Sequence, residues 1–190
     1  MASGEEPTVL VVDDETRIVD LYSRQLEQMA RVKRAYGGQD ALAKAEESVD
    51  VILLDRRMPD IPGDEVLETL AKRGYDPLVI MVTAVEPDFD IVEMPFDDYL
   101  VKPVTGDELR ETVTKVLERA SFRKTAREYF AMASKQAALS GYKHQAQLES
   151  NEEYQRIQRE LDDLRDQADA SIERLGPDAV KKLFQDLESN

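Results

Sequence analysis

Five side chains far apart in the chain could act together on a phosphoryl group: the adjacent Asp13 and Asp14, Asp55, Thr83, and Lys102 with Pro103 after it. Carboxylates are hard oxygen donors for a divalent cation, and an aspartate so screened can attack phosphorus. A hydroxyl and an ammonium can hold the phosphoryl oxygens. Singly, each residue has a structural explanation, since aspartates cap helices after strands and Lys-Pro marks turns. Their combination points to phosphoryl transfer.

Each of the five follows a short apolar run that reads as a buried strand: Val9–Val12, Val51–Leu54, Leu78–Val82 and Tyr99–Val101. In an open α/β sheet, ligands bind beyond the carboxyl ends of the strands, where these residues would meet. Helical periodicity fills the intervals. Residues 15–29 place Ile18, Leu21, Tyr22, Gln25 and Leu26 on one stripe with Asp14 as the expected cap, and a short strand over Arg31–Ala35 leads to a helix over 39–45. A loop with Pro59, Pro62 and Gly63 precedes a helix over 64–73 that should bury Val66, Leu67, Leu70 and Ala71 and end at Gly74. Between Pro87 and Pro95 the periodicity is too weak for more than a short helix. Thr105-Gly106-Asp107-Glu108 has the spacing of a capping box ahead of Leu109, Val113, Val116, Leu117 and Ala120. The alternation predicts an α/β fold, a doubly wound parallel sheet occupying residues 1–120.

Residues 121–190 read as a small all-α appendage. Phe122, Ala126, Tyr129, Ala133 and Ala137 form a helical stripe that Gly141 should interrupt. Ser150-Asn151-Glu152-Glu153 offers a second capping box before a heptad seam of Tyr154, Ile157, Leu161, Leu164, Ala168, Ser171 and Leu175. Gly176-Pro177 should stop that helix, leaving a short final one with Val180, Leu183, Phe184 and Leu187 inward. So narrow a seam packs on the neighbouring helix or, through 154–175, on a second copy.

The formal charge is -15, and it is uneven: residues 1–119 hold 27 acidic against 14 basic residues, residues 120–190 hold 13 against 11. Most of these carboxylates must form a solvated, polyanion-repelling surface like that of proteins from extreme halophiles. The chain has no cysteine, which excludes disulfides, thiolate metal sites and thiol catalysis. With no apolar run near the roughly 18 residues of a membrane span and no basic-then-apolar start, the expectation is a cytoplasmic protein with no membrane partner.

The runs Val-Val-Asp13-Asp14-Glu, Leu-Leu-Asp55-Arg-Arg-Met-Pro59, Val-Thr83-Ala84 and Asp-Asp-Tyr99-Leu-Val-Lys102-Pro103 together resemble the receiver domain of two-component response regulators, which is CheY-like and flavodoxin-like in fold. The resemblance implies that Asp55 accepts a phosphoryl group from a histidine kinase. It implies Mg2+ held by Asp13, Asp14, Asp55 and the backbone carbonyl of Arg57, with Lys102 on the phosphoryl group. Thr83 and Tyr99 would be the switch, and a cis peptide bond would precede Pro103. Such a domain is not an enzyme in its own right, although it can phosphorylate itself from small donors and dephosphorylate itself. Two features depart from the pattern. Arg56 and Arg57 follow the phosphoacceptor, where a flexible cation would influence the access of water, and the stretch from Thr83 to Tyr99 is short, so the family's usual dimerisation face is not expected intact.

The remaining chain, through Tyr129-Phe-Ala-Met-Ala-Ser-Lys-Gln-Ala-Ala-Leu139 and the seam, resembles the HalX domain of response regulators from halophilic archaea. Two outputs follow. The favoured one is a protein-binding or dimerisation module; the alternative is a DNA-binding transcriptional regulator controlled by Asp55. Against DNA, the sequence has no helix-turn-helix or zinc motif, and only Arg119, Arg123, Lys124 and Arg127 as a modest basic cluster. Multimolar salt weakens counterion release, so a near-neutral tail is compatible with either. No P-loop is present, and the lone His144 lacks the surroundings of a phosphotransfer histidine.

Overall fold

The computed structural model describes residues 6–92 and 94–188. Five strands, β1 (Thr8–Val12), β2 (Arg31–Ala35), β3 (Val51–Leu54), β4 (Leu78–Thr83) and β5 (Asp98–Val101), form one sheet in the order β2-β1-β3-β4-β5. Every pairing is parallel. The strand order reverses between β1 and β3, the switch point of a doubly wound sheet. Strands buried on both faces need apolar side chains at every position, and this is why they read as continuous apolar runs. Val9 and Val11 enter one core with Ile80 and Val82, while Leu10 and Val12 enter the other with Ile52 and Met81.

Helices α1 (Thr16–Leu26) and the start of α4 (Gly106–Tyr142) cover the first core; α2 (Gly38–Lys44) and α3 (Gly63–Lys72) cover the second. The predicted capping box holds α4: Glu108 Oε2 accepts from the Thr105 amide at 2.9 Å, and Thr105 Oγ1 accepts from the Glu108 amide at 3.3 Å. Gly74, at φ 72°, follows α3 in the left-handed conformation that glycine adopts without a Cβ clash. Between Thr83 and Tyr99 the only helix among the described residues is one 3-10 turn, Phe89–Ile91.

Several local expectations are corrected. Asp14 does not cap α1: the helix starts at Thr16 after Glu15, so Asp14 lies one residue too early, and it is exposed. The buried stripe of α1 is Val19, Tyr22, Ser23 and Leu26, with Leu21 47% exposed, and Ala71 of α3 is exposed too.

The chain divides into two compact units, Ala2–Leu117 and Glu118–Asn190. In the second, α4 and α6 (Glu152–Glu188) form an antiparallel hairpin joined by the short α5 (Gln145–Glu149), which the sequence reading lacks. Arg174 pairs with Glu118 at 3.4 Å near one end, and the Ser140 and Tyr154 hydroxyls meet at 3.1 Å near the other. The heptad seam faces α4, with Tyr154, Leu161 and Ser171 buried and Ile157, Leu164, Ala168 and Leu175 half-buried. The seam expected to serve self-association is therefore used within the chain. On α4 the stripe includes Phe122, Thr125, Tyr129 and Met132, whereas Ala137 is exposed.

Two further corrections concern helix ends. Asn151, not Ser150, caps α6, its Oδ1 accepting from the Tyr154 amide at 2.9 Å, while the Ser150 hydroxyl donates back to Ala146. Gly176-Pro177 does not stop α6, which runs to Glu188. Proline removes one hydrogen bond and crowds the carbonyl four residues back, but its further clash with the Cβ of the preceding residue is absent because residue 176 is a glycine. The inward positions expected of Val180, Leu183, Phe184 and Leu187 lie outside the described side chains.

Candidate functional site

The strand ends bring the predicted residues to one edge of the sheet. Asp13 follows β1, Asp55 follows β3, Thr83 ends β4 and Lys102 follows β5, after which the Lys102–Pro103 peptide bond is cis. Asp13, Asp55 and Thr83 are buried, at 2%, 5% and 1% exposure. The Lys102 ammonium lies between the two carboxylates, 2.6 Å from Asp13 Oδ2 and 3.1 Å from Asp55 Oδ1. Backbone amides hold the other oxygens: Glu15 N–H donates to Asp13 Oδ1 at 2.9 Å, and Arg57 N–H to Asp55 Oδ2 at 3.0 Å. Gly63 allows the loop after Asp55 to close this tightly, since a Cβ there would stand 2.4 Å from the Asp55 carbonyl oxygen.

Burial pushes the Asp13 carboxyl above its ordinary value, and the hydrogen bond from Lys102 offsets only part of this. Burial also works against the Lys102 ammonium, but the Asp13 hydrogen bond and the charges of Asp13 and Asp55 outweigh it and raise its pKa. The contrast follows from the partners: Lys102 faces two carboxylates, whereas Asp13 faces one ammonium and the like charge of Asp55. Lys102 is thus a fixed cation, and two buried carboxylates share it, leaving one negative charge uncompensated.

The site opens into a cleft of about 530 Å³ lined by Asp14, Glu15, Asp55, Arg57, Thr83, Ala84, Val85, Glu86 and Lys102. Asp14 is exposed there and does not join Asp13 and Asp55 in a compact cluster; among the described residues no three metal-ligating side chains gather closely enough to enclose an ion. The donor set still fits Mg2+, which keeps several waters and binds proteins through one or two carboxylates. The fit rests on the two buried carboxylates with their uncompensated charge, with Asp14 and the backbone carbonyl of Arg57 as further oxygens, and no softer ligand lines the cleft.

Thr83 and Tyr99 converge on Val85. The Val85 amide lies 3.4 Å from Thr83 Oγ1, and the Tyr99 hydroxyl donates to the Val85 carbonyl at 2.8 Å. Tyr99 is half-buried, its ring 5.6 Å from that of Phe96. Three participants escaped the sequence reading. Burial raises the pKa of Tyr22 on α1, and the charge of Lys102 opposes that shift; its place in a helical stripe gave no sign of this. Val85 was unremarkable in sequence. Asp60, in the loop after Asp55, accepts from the Gly38 and Gln39 amides at 3.0 and 2.9 Å and so ties that loop to the start of α2. Only tertiary structure discloses such a cap.

Residues 9–114 match the family model of the response regulator receiver domain. The chain belongs to this family. Residues 118–184 match the HalX domain, so a receiver is followed by a HalX domain. A candidate transcriptional regulator of Haloferax volcanii is 53% identical over 135 residues, 70% of this chain and 23% of that protein. The alkaline phosphatase synthesis transcriptional regulatory protein PhoP of Bacillus subtilis is 38% identical over 117 residues, 59% of this chain and 49% of its own. This response regulator thus spans about half, or less, of those relatives' length. Among solved structures, the response regulator TrrA of Thermotoga maritima in complex with Mg2+ and BeF is similar with a TM-score of 0.51 and 34% identity, over 58% of this chain and 98% of that one. The receiver expected from Asp13, Asp14, Asp55, Thr83 and Lys102 is the family found. Among the described residues no helix is long and apolar enough to cross a membrane.

Proposed function

We propose that this response regulator accepts a phosphoryl group on Asp55 from a histidine kinase in the cytoplasm, and that the C-terminal hairpin conveys the result to a downstream protein. The observation that carries this reading is the pair of buried carboxylates, Asp13 and Asp55, on adjacent strand ends with Lys102 between them and Thr83 beside the same cleft. One Asp55 oxygen attacks phosphorus, the phosphorus–nitrogen bond of the phosphohistidine breaks, and the imidazole departs as an acyl phosphate forms. Lys102, held cationic by its partners, pairs with a phosphoryl oxygen, and the Arg57 amide orients the Asp55 carboxylate. Asp13, Asp14, Asp55 and the Arg57 carbonyl would hold Mg2+, which when bound neutralises charge between carboxylate and phosphoryl oxygens.

Thr83 then donates its hydroxyl to a phosphoryl oxygen. In moving it leaves the Val85 amide, and Val85 also carries the Tyr99 contact, so the loop after β4 and the Tyr99 ring respond together. On this reading the chain has no other substrate; its only chemistry is its own phosphorylation and dephosphorylation. Labelling by a small phosphodonor with Mg2+ tests the assignment: Asp55→Asn should take no label, and normal labelling of that variant would refute it. The name of the Haloferax volcanii relative favours a second output reading, transcriptional regulation through DNA. Chromatin immunoprecipitation of wild type and Asp55→Asn separates the two. Discrete sites lost in the variant favour transcriptional control, and no enrichment in either favours protein contact.

A further inference from the structure

We infer that the α4–α6 hairpin pairs with a second copy of itself through the face that carries Phe130, forming a four-helix bundle. Phe130 is 63% exposed. It lies on a stripe with Ala126, Ala133 and Ala137, at helical spacings of four, three and four, beside the stripe that α4 turns toward α6. The alanines leave room for another helix to approach, and Phe130 is the knob such a helix would cover. With the heptad seam turned inward on α4, Phe130 is the large apolar side chain left exposed in the middle of the hairpin's first helix, Leu139 and Tyr142 lying at its end.

Charge selects the occupant. Near Phe130 α4 carries the exposed Arg127, and α6 carries the exposed Asp162 and Asp166. The Glu118–Arg174 and Ser140–Tyr154 contacts set the axial register of the two antiparallel helices, and that register puts Arg127 level with Asp166. Rotating a second copy by half a turn about the hairpin's long axis lays its α6 along this α4. The second copy's Asp166 then runs beside Arg127, the reciprocal pair forms across the two-fold, and both Phe130 rings are covered. Size agrees: two helices paired over Glu118–Tyr142 present a face about 35 Å long and 20 Å wide. Burying it on both copies removes on the order of 1,500 Å² from water, the size of a stable interface. Nucleic acid would use Arg127 and leave Phe130 and the neighbouring aspartates unaccounted for. The inference is independent of the phosphoacceptor assignment.

Sedimentation velocity of the full chain over a wide concentration range tests this pairing, with helicity and thermal unfolding by circular dichroism as checks that each variant is folded. Wild type should dimerise, and Phe130→Glu should raise the dissociation constant roughly 100-fold or more, as loss of a buried aromatic anchor does. Arg127→Asp and Asp166→Arg should each weaken the dimer, and the double variant should restore it. A wild type that stays monomeric at high concentration overturns the proposal, as does a folded Phe130→Glu dimer of unchanged affinity or a charge swap that restores nothing. A monomer that binds duplex DNA through Arg127 assigns the face to phosphates and overturns it as well.

Discussion

Replacing Lys102 with methionine keeps most of the side-chain stem and removes the charge that two buried carboxylates share. The ammonium lies 2.6 Å from Asp13 and 3.1 Å from Asp55, whose side chains are 3% and 6% exposed. Taking one partner from a buried ion pair costs about 3–5 kcal/mol, because the remaining charge is left uncompensated. Lys102 is itself 15% exposed at an open cleft, so water offsets part of the loss, and about 2–3 kcal/mol is the figure to expect. For a domain of this size that lowers Tm by roughly 10–15 °C. The assay is thermal unfolding followed by circular dichroism, first in chelator and then with Mg2+. Mg2+ should recover more stability in the variant than in wild type, since the cation it brings replaces a charge that only the variant lacks. A Tm within a few degrees of wild type, with the same Mg2+ increment in both proteins, would show that Lys102 does not compensate these carboxylates in solution.

Other consequences follow from single contacts. Asp13 has a raised pKa, so folding favours its protonated form; its contribution to stability falls as pH rises from the unfolded carboxylate value of about 4 through the folded one. Asp13→Asn should therefore raise Tm at neutral pH while impairing phosphorylation, and a lower Tm would contradict the sign. Asp60 behaves oppositely: the Gln39 amide and its neighbours lower its pKa, so its stabilisation is complete above about pH 4 and disappears as pH falls through the folded value. Asp60→Ala should cost about 1–2 kcal/mol in urea unfolding at pH 7 and little at pH 2, and equal costs at both would refute the cap. Asn151→Ala should cost about 1 kcal/mol through fraying of α6, visible as faster amide exchange at Tyr154.

The sheet was legible because strands covered on both faces are written as unbroken apolar runs, and the site because those runs end in the residues that act. Asp13, Asp55, Thr83 and Lys102 could be placed together from the rule that ligands gather at the strands' carboxyl ends. Their pairing could not be read: no spacing distinguishes Lys102 beside Asp13 from Lys102 pointing to solvent. Asp14 looked like a cap because it follows a strand, yet the turn from β1 to α1 uses three residues, Asp13 to Glu15, and places it one short of the cap position. Ser150 and Asn151 are equally good caps by type, and only the first turn of α6 chooses between them. Gly176-Pro177 carries a stop signal whose force depends in part on a Cβ that glycine lacks. Asp60 acts across 22 positions on α2, a tertiary contact with no local trace.

Asp55 is proposed as the phosphoacceptor of a site built by Asp13, Thr83 and Lys102. The most direct measurement is intact-mass and peptide analysis after incubation with acetyl phosphate, with and without Mg2+, trapping the acyl phosphate by borohydride reduction. The prediction is a single modified residue, Asp55, formed only with Mg2+. Modification at another residue, or equal labelling after Asp55→Asn, would contradict it.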